Sequence, residues 1–169
     1  MADPVKRTIL MMRHAKSSWS NPHLRDYDRP LNHRGKNDAP KMGTYLKELG
    51  IIPERIVSSP AARARATILH VLDSMGLPHD LVEWDESLYF TGAKSYVDAI
   101  KKTDHELESV MTIGHNPMTD EAISLLSKTP FYKHIATATI ACLEVSLTSW
   151  KDLEFGTCDL KWITTPKEI

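Results

Sequence analysis

Short apolar runs alternating with segments of helical period constrain this chain more than any other feature. Ile9-Leu10-Met11-Met12, Ile56-Val57 and Val110-Met111-Thr112-Ile113 are bounded by charged or turn residues. Runs with no polar alternation suit strands buried on both faces, as in parallel sheets. The first strand is predicted over about 6–12, with others ending near Val57, at 81–84 and at 109–113. Between them, Met42, Tyr45, Leu46 and Leu49 recur at helical spacing and Gly50 supplies a stop. Helices are predicted over about 36–49, 60–75, 93–103 and 117–127. Ser59 and Asn116 fit helix N-caps, with Pro60 and Pro117 at the first helical position. The Thr/Ile/Val-rich stretch from Ala136 to Val145, a turn near Ser149 and the run from Leu153 to Trp162 read as an antiparallel pair. Strand–helix alternation implies right-handed crossovers. The expectation is one α/β domain over 1–169: a three-layer α/β/α sandwich, mostly parallel, with an antiparallel edge.

The formal net charge of −1 gives no case for nucleic acid or an anionic membrane as partner, so any basic site must be local. Cys142 and Cys158 form no metal-ligand or redox spacing, and reduced thiols are the expectation. The segment Met1–Arg7 carries no apolar leader and no stretch approaches membrane-spanning length, which points to a cytoplasmic protein.

In open α/β sheets, ligands bind beyond the carboxyl ends of the strands. The first strand ends there on Arg13-His14, the second is followed within a helical turn by Arg63, and the fourth ends on Gly114-His115. If these strands are parallel neighbours, two guanidiniums and two imidazoles share one rim. Such a cluster repels itself and needs an anion. Helix N-termini at the same rim add to the pull, and planar Arg forks favour phosphate over carboxylate. An unprotonated imidazole nitrogen can attack phosphorus while the other groups neutralise the equatorial oxygens. No Gly-rich nucleotide loop and no Gly-x-Ser-x-Gly is present, and the chemistry needs no metal or cofactor. The long polar stretch from Ala15 to Arg34, anchored by Trp19, Leu24, Tyr27 and Leu31, is expected to pack as one wall of this pocket.

Arg13-His14-Ala15 resembles the Arg-His-Gly signature of the histidine phosphatase superfamily, which includes phosphoglycerate mutases. More closely, Arg13-His14-Ala15-Lys16-Ser17-Ser18-Trp19, Asp28-Arg29-Pro30-Leu31-Asn32 with Arg34-Gly35, Ser58-Ser59-Pro60 with Arg63-Ala64, and Gly114-His115-Asn116-Pro117 resemble the SixA-type phosphohistidine phosphatases. The resemblance spans about residues 8–165 and implies a phosphoglycerate-mutase-like fold. It implies His14 as covalent nucleophile, Arg13, Arg63 and His115 as the rest of the phosphate pocket, and Ser17 and Arg29 as further substrate contacts. Superfamily phosphatases and mutases commonly place an acid after the third strand, a pattern from which SixA-type members tend to depart. Glu86 is the expected candidate, Asp85 the fallback, and a solvated loop carboxylate the plain alternative. The implied partner is a phosphorylated protein carrying phosphohistidine. A small phosphorylated substrate, hydrolysed by a phosphomonoesterase or moved by a mutase, and a non-catalytic phospho-ligand binding module stay open.

Overall fold

The computed structural model describes residues 3–169. Ten elements build it: β1 (Val5–Arg13), α1 (His33–Glu48), β2 (Arg55–Ser58), α2 (Ala62–Met75), β3 (Val82–Trp84), α3 (Ala93–Lys101), β4 (Ser109–Gly114), α4 (Met118–Leu126), β5 (Ile140–Leu147) and β6 (Asp159–Thr164). They form one six-stranded sheet in the order β3-β2-β4-β1-β5-β6. The first four in that order run parallel, and β5 is antiparallel to both β1 and β6. This is the expected α/β architecture with an antiparallel edge.

The run 9–12 is apolar throughout because β1 lies inside the sheet with helices on each side. Leu10 and Met12 pack with Met42, Leu46, Ile68 and Leu72 of α1 and α2. Ile9 and Met11 pack with Tyr96, Ile100, Ala122 and Ile123 of α3 and α4. Each buried side chain of this size contributes roughly 1.5–3 kcal/mol. The strand cannot slip by one residue without exchanging both core faces at once.

Two helix starts differ from expectation. Helix α2 begins at Ala62 and α4 at Met118, and neither has a side-chain cap. Ser59 Oγ lies against His115 Nε2 at 2.8 Å, and Asn116 Nδ2 donates to Ile135 O at 3.1 Å. Asn116 is thus drawn to a tertiary partner, and the Ser59 hydroxyl serves both His115 and the Ala61 N–H at 3.3 Å. Helix α1 starts earlier than its apolar period indicated, at His33, because Asn32 Oδ1 accepts the Gly35 N–H at 2.9 Å.

Candidate active site

Strand register alone brings the two histidines together. Arg13 pairs with Gly114 across the parallel β1–β4 ladder, and His14 N donates to Gly114 O at 3.0 Å. His14 and His115 therefore leave adjacent strands at the same level, with ring centroids 5.1 Å apart and planes at 52°. Arg63 enters from the first turn of α2, which follows β2 on the other flank of β4. A cavity of about 260 Å³ at this rim is lined by Arg13, His14, Ser17, Arg29, Arg63 and His115, together with Lys16, Trp19, Asp26, Phe90, Asn116 and Thr137. Six of the seven residues singled out from the sequence thus meet in one place.

The state of His14 follows from its partners. Its Nδ1 lies 2.6 Å from the Ala15 carbonyl oxygen, which only accepts, so Nδ1 carries the proton. The Nε2 lone pair then accepts from Arg63 Nε at 3.3 Å. Burial pushes the imidazole down to about 3, with Arg63, Arg13 and Arg29 adding to the effect against the Ala15 hydrogen bond. Nε2 is unprotonated at neutral pH. The turn that sets this geometry is pinned by Thr67, whose hydroxyl accepts from Ala15 N at 2.9 Å and donates to Arg63 O at 2.7 Å.

His115 is also held neutral. Burial, then the neighbouring His14 and Arg63, push it down to about 2. Ser59 Oγ accepts from Ala61 N, so its hydroxyl proton is free to go to His115 Nε2, 2.8 Å away. With the hydroxyl donating in this way, His115 would carry its proton on Nδ1, a buried atom without a hydrogen-bond partner among the described residues. In that tautomer Nδ1–H is an unpaired donor. The His115 backbone N–H donates to Tyr96 OH, which itself donates to Leu88 O, fixing the strand end.

The cluster also has an internal counter-charge that the sequence did not reveal. Asp26, in the short 3₁₀ turn Asp26–Asp28, accepts from Arg63 Nη2 at 2.9 Å and Arg29 Nη1 at 2.8 Å, and from Tyr89 OH. Its backbone carbonyl takes Arg63 Nη1 at 2.7 Å. Burial alone would raise the Asp26 carboxyl, but the hydrogen bonds from Tyr89 and Arg63 and the Arg63 charge outweigh it and hold it at about 2. The expected repulsion is therefore relieved by two neutral imidazoles and one carboxylate, before any ligand enters. Arg29 also donates to Ser17 Oγ and to Ser18 O, and Arg13 Nη1 donates to Ile135 O at 2.9 Å.

Glu86 stands apart from the other expected residues. It is exposed, lies outside the cavity lining, and accepts the Tyr27 hydroxyl at 2.8 Å. Asp85 caps the next turn through Ser87 N and Ser87 Oγ. Both carboxylates are engaged in loop structure, and neither lines the cavity. The carboxylate in the pocket comes instead from the 15–34 stretch. The polar run Asp26-Tyr27-Asp28-Arg29-Pro30 was its signal, but nothing in that run separates Asp26 from Asp28, which pairs with Arg25 at 2.7 Å. Among the described residues, no group of three or more His, Cys, Asp or Glu side chains forms a metal-binding cluster, and no helix is long and apolar enough to cross a membrane.

Residues 9–88 match the family model described as histidine phosphatase superfamily, branch 1. An uncharacterised chloroplastic protein of Arabidopsis thaliana is 32% identical over 156 residues, covering 88% of this chain and 71% of that one. The chain belongs to the histidine phosphatase superfamily. An uncharacterised Mycobacterium tuberculosis protein is 29% identical over 165 residues, covering 92% of this chain and all of its own. The fold of this chain matches a solved protein histidine phosphatase SixA complexed with tungstate, with TM-score 0.83, 23% identity, and 95% and 98% of the two chains covered. A mycobacterial glucosyl-3-phosphoglycerate phosphatase shares the fold more distantly, with TM-score 0.63, 16% identity, and 92% and 98% covered. The family match ends at residue 88, so His115 enters the site by strand register rather than within the matched segment.

Proposed function

We propose that this histidine phosphatase hydrolyses the phosphoryl group of a protein phosphohistidine through a covalent intermediate on His14. The observation that carries the reading is the tautomer of His14. Nδ1–H is tied to Ala15 O while an unprotonated Nε2 faces the pocket that Arg13, Arg29, Arg63 and His115 line. In the first step the Nε2 lone pair forms a bond to phosphorus as the substrate's P–N bond breaks. That electron pair leaves on the imidazole nitrogen, which takes a proton from water. Arg13, Arg63, Arg29 and the Nδ1–H of His115 stabilise the equatorial oxygens, so the protein's own cations fill the role a metal plays elsewhere. In the second step water attacks phosphorus, the Nε2–P bond breaks, and inorganic phosphate leaves with the remaining proton going to solvent.

The site's acid–base state supports a nitrogen leaving group. Asp26 is the one carboxylate in the cavity lining, and it is held ionised. An alkoxide leaving from a sugar phosphate needs a proton in the transition state, whereas an imidazole takes one from solvent with little assistance. A cavity of about 260 Å³, open at its mouth, holds a phosphoryl group and the ring bearing it without enclosing a metabolite. Tungstate, present in the SixA structure of the same fold, is a tetrahedral dianion of the shape such a pocket suits.

Incubating the protein with a radiolabelled phosphohistidine domain tests the reading. Wild type is expected to trap acid-labile label and His14→Ala none. An unlabelled wild type, or single-turnover rates faster on sugar phosphates than on the phosphohistidine domain, would overturn it.

A further inference from the structure

The buried lining of the cavity is charged, but its exposed lining includes two aromatic rings. Trp19 is 71% exposed and Phe90 53% exposed, and both line the same cavity as His14. A single exposed aromatic needs no explanation, but two at one pocket mouth form a surface that faces whatever the pocket binds. Neither ring is loose. The Arg29 guanidinium lies 3.3 Å from the centroid of the Trp19 ring, covering one face while most of the residue stays open to solvent. Phe90 stacks on His115 at 5.3 Å and 27°, and the edge of Tyr89 braces it at 4.8 Å and 78°. Each ring is thus oriented by a group that contacts the phosphoryl site directly. Trp19 rides on an anion-binding arginine, and Phe90 on the histidine donor.

In-line displacement adds a direction. The leaving group departs opposite His14 Nε2, and with the cations gathered on the floor, the side opposite is the mouth. We infer that Trp19 and Phe90 form an aromatic rim that receives the leaving group as a planar ring, and so set the preference for phosphoryl groups carried on imidazole. The inference rests on the phosphohistidine reading and names the residues that would enforce it. Stacking against an oriented aromatic ring is worth roughly 2- to 10-fold per contact, for a flat ring and not for a compact amine.

Two substrates with the same P–N bond separate the rim from the chemistry: a phosphohistidine peptide and phosphoramidate, whose leaving group is ammonia. The quantity read is the ratio of kcat/KM for the peptide to kcat/KM for phosphoramidate. Trp19→Ala and Phe90→Leu are each expected to lower that ratio by roughly 3- to 10-fold. Trp19→Phe and Phe90→Tyr, which keep a ring, are expected to restore it. A disturbed Arg29 or His115 would slow both substrates together and leave the ratio alone. A ratio within twofold of wild type in the Ala and Leu variants overturns the rim while leaving phosphohistidine turnover standing. Failure of the wild type to use either P–N substrate overturns the rim and the underlying reading together.

Discussion

Lowering the pH from 7 to 5 should destabilise this protein through His14 and His115. Both imidazoles are held neutral by burial, at about 3 and about 2, whereas in the unfolded chain each titrates near 6.5. The sign follows from proton counting. Between pH 6.5 and about 3 the unfolded state binds protons that the folded state refuses, so stability is unaffected above 6.5 and is lost progressively below it. At pH 5 the unfolded chain gains about 1.5 pH units of binding free energy at each histidine, about 2 kcal/mol per residue. Together that is a substantial share of the ~5–15 kcal/mol that a domain has. Asp26 does not confuse the window, because its carboxyl is held at about 2 and its linkage begins only below the unfolded carboxyl value near 3.8. Urea unfolding at both pH values, on wild type and on a His14→Asn/His115→Gln double variant, isolates the effect from the other titrating groups. The acid-induced loss is expected to be about 4 kcal/mol smaller in the double variant. Sulfate, a dianion at both pH values, is expected to narrow the wild-type difference, because an anion among the arginines lets the imidazoles protonate in place. Equal losses in wild type and double variant would refute the assignment of neutral, buried histidines.

Asp26→Asn removes the charge that orients Arg63 and Arg29 while keeping a side-chain acceptor. It is expected to lower kcat/KM by roughly 10- to 100-fold, the worth of a charge-assisted hydrogen bond, whereas Glu86→Gln, outside the cavity, is expected to stay within twofold in the same assay. Gly114→Ala would place a methyl 2.0 Å from the hydroxyl of the fully buried Tyr96, which is tied to Leu88 O and His115 N. Thermal melts are expected to show a loss of about 2–3 kcal/mol, or a Tm lower by roughly 4–12 °C. An unchanged Tm would mean that Tyr96 does not lock the β4 end in place.

What the sequence disclosed, and what it withheld, divides along the reach of the interaction. Strand β1 was legible because burial on both faces leaves an unbroken apolar run, and the meeting of Arg13, His14 and His115 followed from placing β1 beside β4 in parallel. Cap residues were misread for a physical reason: Ser59 and Asn116 carry the same hydroxyl and amide groups whether they serve a helix end or a neighbouring loop and histidine. Local pattern cannot show that Ser59 serves both a backbone N–H two residues away and a partner 56 positions along the chain. The pocket carboxylate went unseen for a related reason. Glu86 lies where a strand end should put a catalytic carboxylate, yet Tyr27 draws it outward, while Asp26 arrives on a stretch with no period to reveal its direction. That stretch is placed by contacts instead. The backbone N–H of Asn32 bonds to Lys16 O at 3.0 Å, and Gly35 lies so close that a Cβ there would sit 2.2 Å from the same carbonyl. A side chain at position 35 would push helix α1 off the segment that carries Ser17 and Trp19. The glycine that follows Arg34 is therefore part of what closes the pocket wall, although it touches nothing in the pocket itself.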